Sequence, residues 1–406
     1  MPVSTRIYIG GSLGFGGQPA LDDLKTAGYS TVLVWSLHVQ SNGDLQLNDT
    51  RIVHDGIYDE AEPLRLPAAV AQLRQAGMEI LFSVGSGGSD DFTNIGNLLR
   101  QEPALLRANF AALKRAMTDA GGSIDGIDFD NEDNLDANVM IDFGRMLRDL
   151  AYAHVTFCPF GQTSIGTWGL TLSTLCRDQG GQGFVSAVHL QCYSGGGDSD
   201  VQQWQNMIAS AVPAGQPRPL LIPGLATNQP EDGPWWLRDA RGGSVAVKQG
   251  HAMDGQADWS KEVFRGHYDS AGEALQALQR RGSGGGVTFF FYCNESVRLG
   301  DRNFQPGDAV FFAGKPSWVS AAACDGYFLG QCSDRFNGFG ACPSNLQSRY
   351  KTWSGIQPPP QGGFIWFYDS VVWCFLSGCC GSSEQNPGPA ARDYSDAIVR
   401  GLSPSS

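Results

Sequence analysis

Short apolar strands that alternate with amphipathic segments limit the fold of this chain more than any other feature of its sequence. Between the strands, apolar residues recur at helical spacing, as in Pro103–Ala120. Strands that are apolar almost throughout are covered on both faces, so the alternation predicts a parallel sheet in an α/β fold. The predicted strands are Arg6–Gly11, Thr31–Val39, Glu79–Gly85, Ile124–Asp130, His154–Phe160, Val185–Tyr193 and Leu220–Ala226.

The number of predicted strands favours a closed sheet. Seven strands, with one more expected, fit a (β/α)8 TIM barrel better than an open doubly wound sheet, and 406 residues leave room for a large insertion. Two segments compete for the eighth strand, Gly286–Cys293 and Gly363–Asp369. The second follows a helical pattern at Ser344–Trp353 and precedes another at Asp393–Leu402, and this order favours it.

The choice of the eighth strand sets the domain organisation. We expect barrel strands one to seven in 1–228, an insertion between strands seven and eight in 229–354, and the last strand with the C-terminal helix in 355–406. With the other choice, the region after 229 would contain the end of the barrel and an appended C-terminal domain.

Four carboxylates lie within eight residues, in the segment Asp125–Glu132 at the end of the fourth predicted strand. Side chains alternate along a strand, so Asp128, Asp130 and Glu132 share one face, toward the barrel axis. Like charges at this spacing cannot all be ionised, so at least one carboxyl should have a raised pKa. Glu132 comes last, at the carboxyl end of the strand where barrel enzymes hold their chemistry, and is the predicted proton donor.

The balance of charge excludes some classes of ligand. The chain has 41 acidic and 28 basic residues, a formal net charge of −13, which disfavours binding to phosphate backbones or anionic membrane surfaces. The sequence lacks an apolar run of about 18 residues, so no membrane-spanning segment is predicted. A neutral or cationic ligand fits this composition, and we expect neither a nucleic acid nor a membrane as partner.

The cysteines indicate an oxidising compartment. Zinc is disfavoured because the chain has no CxxC pair, and calcium because no EF-hand spacing follows the acidic strand. We therefore expect disulfides, a secreted protein whose signal peptide is absent from this sequence, and no metal. Six of the ten cysteines lie near the C-terminus: Cys324, Cys332, Cys342, Cys374, Cys379 and Cys380.

The spacing Asp-Gly-x-Asp-x-Asp-x-Glu resembles the signature of glycoside hydrolase family 18, the chitinases and endo-β-N-acetylglucosaminidases. It is matched by Asp125, Gly126, Asp128, Asp130 and Glu132.

Other segments resemble the same family. Phe82–Gly88 is similar to its Ser-x-Gly-Gly region, with one extra residue, and Phe157–Phe160 is similar to the plant-type branch. Gln191 and Tyr193 match the Gln-x-Tyr of plant class III chitinases, and Trp366 takes the place of the family's barrel-floor tryptophan.

The resemblance implies a (β/α)8 glycosidase that cleaves β-1,4-linked N-acetylglucosamine polymers such as chitin, with retention of configuration and without a protein nucleophile. Glu132 would be the acid and then the base, Asp130 would orient the acetamide of the sugar, and Asp128 would hold Asp130. Tyr193 would hydrogen-bond the acetamide. The residues implied in substrate binding are Gln191, Trp366 and Asp125.

Alternatives remain at this point. An endo-β-N-acetylglucosaminidase acting on N-glycans would use the same residues, and a lectin or inhibitor on this fold would bind without turnover. Trp235, Trp236 and Trp318 in the insertion could stack on sugars or simply pack the insertion. His189, on an apolar strand, is interpreted as a core histidine. We expect a monomer that needs no cofactor.

Overall fold

Parallel strands in a closed ring form the centre of the molecule, as seen in a computed structural model of the chain. The described residues are 2–10, 17–47, 50–59, 65–133, 135–178, 183–193, 199–227, 262–269, 273–274, 277, 289–293, 296–299, 302–312, 324–328, 342–368, 371 and 389–403.

The strands and helices alternate along most of the described chain. The strands are β1 Ser4–Ile9, β2 Thr31–Val39, β3 Leu45–Leu47, β4 Thr50–His54, β5 Ile57–Tyr58, β6 Glu79–Val84, β7 Gly126–Phe129, β8 His154–Phe157, β9 Val185–Gln191, β10 Leu220–Ala226, β11 Glu262–His267, β12 Phe289–Cys293, β13 Val297–Leu299, β14 Arg302–Phe304, β15 Asp308–Phe312, β16 Cys324–Phe328 and β17 Gly362–Trp366. The helices are α1 Gly17–Thr26, α2 Leu66–Gln75, α3 Asp91–Gln101, α4 Pro103–Asp119, α5 Ala137–Asp149, α6 Ile165–Asp178, α7 Val201–Ala211, α8 Pro343–Trp353 and α9 Ala391–Leu402.

Eight parallel strands close the barrel in the order β1, β2, β6, β7, β8, β9, β10 and β17. The ring is complete because β1 pairs with β2 on one side and with β17 on the other, where Ser4 lies opposite Gly362. The predicted (β/α)8 fold is therefore confirmed, and the eighth strand is the favoured one. The competing segment supplies β12, which is central to an antiparallel sheet in the order β11, β15, β12, β16.

The antiparallel sheet and the hairpin β13–β14 lie within 229–354, the range predicted to be an insertion. Helix α8 falls in the same range but packs on the barrel, because the Tyr350 hydroxyl lies 2.9 Å from the Pro223 carbonyl oxygen and 3.2 Å from that of Phe364. Trp235, Trp236 and Trp318 lie outside the described residues.

Side-chain alternation separates two apolar clusters. On β7, Ile127 and Phe129 point outward, and Phe129 stacks on Phe143 of α5 with ring centroids 5.2 Å apart. The inner cluster fills the barrel and includes Tyr8 and Phe364. Since the apolar residues of β7 are committed to the outer cluster, Asp128 between them must face the barrel interior.

The cysteines of the described residues occur in two chemical states. Cys342, just before α8, is disulfide-bonded, whereas Cys158, Cys176 and Cys192 carry free thiols. Among the helices of the described residues, none combines the length and the apolar character needed to cross a bilayer.

Candidate active site

Asp128 is the deepest carboxylate of the barrel and is fully buried. The hydroxyls of Tyr8 and Ser83 each donate a 2.8 Å hydrogen bond to its Oδ2 atom. Thr156 Oγ1 and His189 Nδ1 donate to its Oδ1 atom, the latter at 2.8 Å. The four donors come from four different strands, so the closed ring itself builds the binding site of this carboxylate.

The protonation of the Asp128 network follows from its geometry. Arg6 Nη1 lies 2.9 Å from His189 Nε2, and a guanidinium can only donate, so Nε2 accepts and the single proton of the imidazole is on Nδ1. Burial lowers the pKa of His189, which agrees with a neutral ring. Burial alone would raise the pKa of Asp128, but its contacts with His189, Thr156 and Ser83 outweigh this and lower it. Asp128 is therefore an anion.

Asp130 follows on the same face, only 1% exposed. Trp35 Nε1 donates to its Oδ2 atom at 3.0 Å, and Gln191 Nε2 donates to its Oδ1 atom at 3.1 Å. Burial raises the pKa of Asp130 well above its usual range, and the charges of Glu132 and Asp128 raise it further. This carboxyl therefore competes with Glu132 for a proton.

Glu132 ends the series and is partly exposed. Gln191 Nε2 donates to its Oε1 atom at 2.8 Å, so one amide group bridges the two upper carboxyls. Burial raises the pKa of Glu132, opposed by the Gln191 hydrogen bond. Glu132 lies at the solvent-accessible end of the series Asp128, Asp130 and Glu132. A carboxyl with a raised pKa in this position is suited to hold a proton and release it to a ligand.

Two glycines after β6 leave room for these carboxyls. Gly85 has φ +106°, and a Cβ there would lie 2.3 Å from the backbone oxygen of Asp130. A Cβ on Gly87 would lie 2.9 Å from Glu132 Oε2. The glycine-rich segment therefore lets β6 approach the end of β7 closely.

An aromatic cluster lies beside the three carboxyls. Trp366 is partly exposed, and Trp35 meets it edge to face, with centroids 4.5 Å apart and an 81° angle. Tyr193 is stacked on Trp366 at 6.1 Å and 22°, and Tyr8 lies 5.3 Å away. Burial raises the pKa of Tyr193 well above its usual range, so its hydroxyl stays a neutral donor. The cluster offers apolar ring faces beside the carboxyl acids, an arrangement suited to a sugar ring.

The structure brings together six of the seven residues predicted for the site: Asp128, Asp130, Glu132, Gln191, Tyr193 and Trp366. Asp125 does not join them. It precedes β7 and lies at the opposite end of that strand, where its Oδ2 atom accepts a 2.8 Å hydrogen bond from the Ile80 backbone N–H and forms an ion pair with Arg74 at 3.0 Å. Seven residues of extended chain span roughly 20 Å, which separates Asp125 from Glu132.

Sequence reasoning missed the partners of the carboxyls. His189 is a satisfied core residue as interpreted, but its partner is Asp128. Trp35 and Tyr8 were not singled out at all. Alternation along β1 and β2 was the available signal, because it places both side chains inside the barrel. No group of three or more His, Cys, Asp and Glu side chains that could hold a metal occurs in the described part of the chain.

Comparisons with known proteins gave matches among solved structures. No family model matches the chain, and no curated protein matches it. A chitinase from Pseudoalteromonas aurantia is 16% identical over 56% of this chain and 81% of that chain, with a TM-score of 0.39. The matches include family 18 glycoside hydrolases.

Two further matches differ in what is said of their activity. A fungal endo-β-N-acetylglucosaminidase of family 18 is 19% identical over 56% of this chain and 78% of that chain, with a TM-score of 0.41. Human YKL-39, described as a pseudo-chitinase that retains chitooligosaccharide binding, is 11% identical over 98% of this chain and 99% of that chain, with a TM-score of 0.46.

Proposed function

We propose that this chain is a family 18 glycoside hydrolase that cleaves β-1,4-linked N-acetylglucosamine polymers, such as chitin or chitooligosaccharides, within the chain. The observation that carries the proposal is the bridge by Gln191, whose Nε2 atom bonds both Asp130 and Glu132. The two carboxyls both have raised pKa values and share a proton. Of the two, Glu132 is the more exposed and is the one that reaches a ligand.

The first step uses the proton on Glu132. Glu132 donates it to the glycosidic oxygen as the bond from that oxygen to the anomeric carbon breaks, and the acetamide oxygen of the same sugar bonds to the anomeric carbon. Asp130 accepts a hydrogen bond from the acetamide N–H and stabilises the positive charge of the resulting oxazolinium ring. The Asp128 anion, held by its four hydrogen-bond donors, also stabilises this positive charge. Because Asp128 stays ionised, the shared proton remains on Asp130 or Glu132.

The second step returns the proton. Glu132, now a carboxylate, takes a proton from water as the water oxygen bonds to the anomeric carbon and the oxazolinium ring opens. Water enters on the face from which the leaving group departed, so the product keeps the β configuration. Tyr193 holds the acetamide oxygen through its neutral hydroxyl, and the ring face of Trp366 supports the sugar at the cleavage site.

The cellular setting and the partners are also part of the proposal. The disulfide at Cys342 supports an extracellular enzyme, because disulfides persist in oxidising compartments. The net charge of −13 suits an uncharged polysaccharide substrate. We propose a monomer that works without a cofactor.

Hydrolysis assays with two substrates test the proposal. Wild type should release reducing ends from a chitooligosaccharide, with the β-anomer appearing first by proton NMR. Glu132→Gln keeps the shape but loses the donated proton, and should lower kcat by at least about a thousandfold. Glu102→Gln, an exposed glutamate between α3 and α4, is the matched control and should keep wild-type activity.

Three other results would each overturn part of the proposal. Cleavage of a high-mannose glycopeptide, without cleavage of the oligosaccharide, would identify an endo-β-N-acetylglucosaminidase. Binding without turnover would identify a lectin on a hydrolase barrel. An α-anomer as first product would contradict the retaining mechanism.

A further inference from the structure

Trp35, at the centre of β2, directs its indole N–H at Asp130. The Nε1 atom lies 3.0 Å from Asp130 Oδ2, and Gln191 Nε2 lies 3.1 Å from Oδ1. The two donors come from β2 and β9, each two strands away from β7 on either side. Each oxygen of the carboxyl therefore accepts a hydrogen bond from a neutral N–H group, and together the two bonds constrain the orientation of the carboxyl group.

The indole ring is itself fixed by aromatic contacts. Its centroid lies 4.5 Å from that of Trp366 at an angle of 81°, and 6.1 Å from that of Phe367 at 66°. Edge-to-face pairs of this kind are directional, so the Trp35 ring cannot turn without displacing Trp366. The Trp35 side chain thus contacts both the Trp366 ring and the Asp130 carboxyl.

The backbone that carries Trp35 is anchored to β6. Ser36 is buried, and its Oγ atom donates a 3.0 Å hydrogen bond to the Gly85 carbonyl oxygen. His38 Nε2 lies 2.9 Å from the same Oγ atom, and His38 Nδ1 lies 2.8 Å from Asp91 Oδ2. These hydrogen bonds connect the part of β2 that follows Trp35 to Gly85, in the segment that also approaches Asp130 and Glu132.

We propose that Trp35 is a positioning residue, which holds the Asp130 carboxyl in one orientation through its indole N–H and couples that orientation to the Trp366 ring. The role deepens the proposed hydrolase function and rests on it. A sugar bound on the Trp366 ring contacts a side chain that packs against Trp35. The indole N–H of Trp35 orients the Asp130 carboxyl toward the acetamide of the same sugar. Phenylalanine at position 35 would preserve the ring contacts and lose the donor.

The hydrogen bond from the Trp35 indole lowers the pKa of Asp130. It favours the ionised form of Asp130, against burial and the charge of Glu132, which together raise the Asp130 pKa. Without that donor the shared proton moves toward Asp130. Glu132 then lacks the proton that it must donate, and Asp130 lacks the charge that stabilises the oxazolinium ring.

Kinetics of Trp35→Phe test the positioning role. We expect kcat to fall about tenfold with KM changed less than about threefold, and the acidic limb of the kcat profile to move up by about one pH unit. The matched control is Trp204→Phe on α7, a buried tryptophan whose Nε1 atom donates to Gln162 at 3.1 Å outside the site. The control should leave the pH profile unchanged. A Trp35→Phe profile that coincides with the control would overturn the proposal.

An NMR titration tests the contact without relying on hydrolysis. In protein labelled with ¹⁵N-tryptophan, one indole signal disappears in Trp35→Phe and is thereby assigned among the ten tryptophans. We expect this signal to shift as Asp130 titrates, and the Trp204 signal to stay constant. A constant Trp35 signal would overturn the proposal. If the signal titrates while wild type cleaves neither substrate, the contact stands and the hydrolase function is what fails.

Discussion

His189 donates a 2.8 Å hydrogen bond from Nδ1 to Asp128, although neither side chain is exposed to solvent. Its other ring nitrogen lies 2.9 Å from Arg6 Nη1, so the neutral imidazole joins a buried cation to a buried anion. A charge inside a protein is tolerated only while its partners are in place, and removing a partner typically costs about 3–5 kcal/mol. The interior of the barrel is therefore held by a polar network at the level of Asp128.

His189→Leu should lower the free energy of unfolding by about 3–5 kcal/mol, because both Arg6 and Asp128 lose a partner. Urea denaturation monitored by tryptophan fluorescence measures the change. His267→Leu is the matched control, since this histidine also pairs with an aspartate, Asp308 at 3.1 Å, but its side chain is 64% exposed. The control should cost less than about 1 kcal/mol. Equal losses in the two variants would contradict a buried network.

Gln191→Leu should move the alkaline limb of the kcat profile to higher pH by about one unit. Burial raises the pKa of Glu132, and the hydrogen bond from Gln191 opposes that rise, so its loss raises the pKa further. Activity requires protonated Glu132 and is therefore retained to higher pH, although kcat on the plateau falls. Gln101→Leu, exposed at the end of α3, should leave the profile unchanged. An alkaline limb that stays in place would rule out Gln191 as the bridge.

Gly87→Ala should reduce kcat with little change in thermal stability. The added Cβ would lie 2.9 Å from Glu132 Oε2, which is the flexible end of a side chain, so the carboxyl moves rather than the backbone. A displacement of about 1 Å can cost about a hundredfold in rate. Steady-state kinetics and a melting curve measure both effects. Gly166→Ala is the control, because it is exposed and has no atom within 4 Å of the added Cβ. An undiminished kcat in Gly87→Ala would contradict a catalytic role for the Glu132 carboxyl.

Glu79→Gln should destabilise the protein by about 3 kcal/mol at pH 7, with the difference from wild type vanishing in acid. Burial alone would raise the pKa of Glu79, but contacts with His154 and Arg6 lower it from 4.5 to about 2. A depressed pKa gives stability that is complete above about pH 4.5 and is lost as the pH falls toward 2. Urea unfolding at several pH values measures this. Exposed Glu102→Gln should show no such trend, and a loss for Glu79→Gln that is the same at pH 2 and pH 7 would contradict the ion contacts.

The pattern of the sequence predicted the barrel because each strand had to bury two faces. Alternation along β7 also predicted correctly that Asp128 and Asp130 face inward, since Ile127 and Phe129 lie in the outer cluster. The like-charge argument predicted a raised pKa. Burial is the main cause of the raised pKa of both Asp130 and Glu132, and the neighbouring carboxylates of the series add to it only at Asp130.

Other features depended on contacts between distant parts of the chain. Nothing in the spacing of the acids indicates that Asp128, rather than Asp130, is the ionised carboxylate, because its donors Tyr8, Ser83 and Thr156 come from three other strands. Asp125 is part of the matched motif, yet it pairs with Arg74 at the other end of the strand.

The sequence by itself determined the alternation of strands and helices and the inward direction of the carboxyls. It also determined that Glu132 comes last in the series, because all of these follow from local periodicity. Only the tertiary structure decided which protons those carboxyls hold. Closure of the ring brings Trp35, His189 and Gln191 to β7 from strands far along the chain. In a buried site the pKa of an acid depends on the donors and charges within a few ångströms, and those neighbours exist only after the barrel has closed.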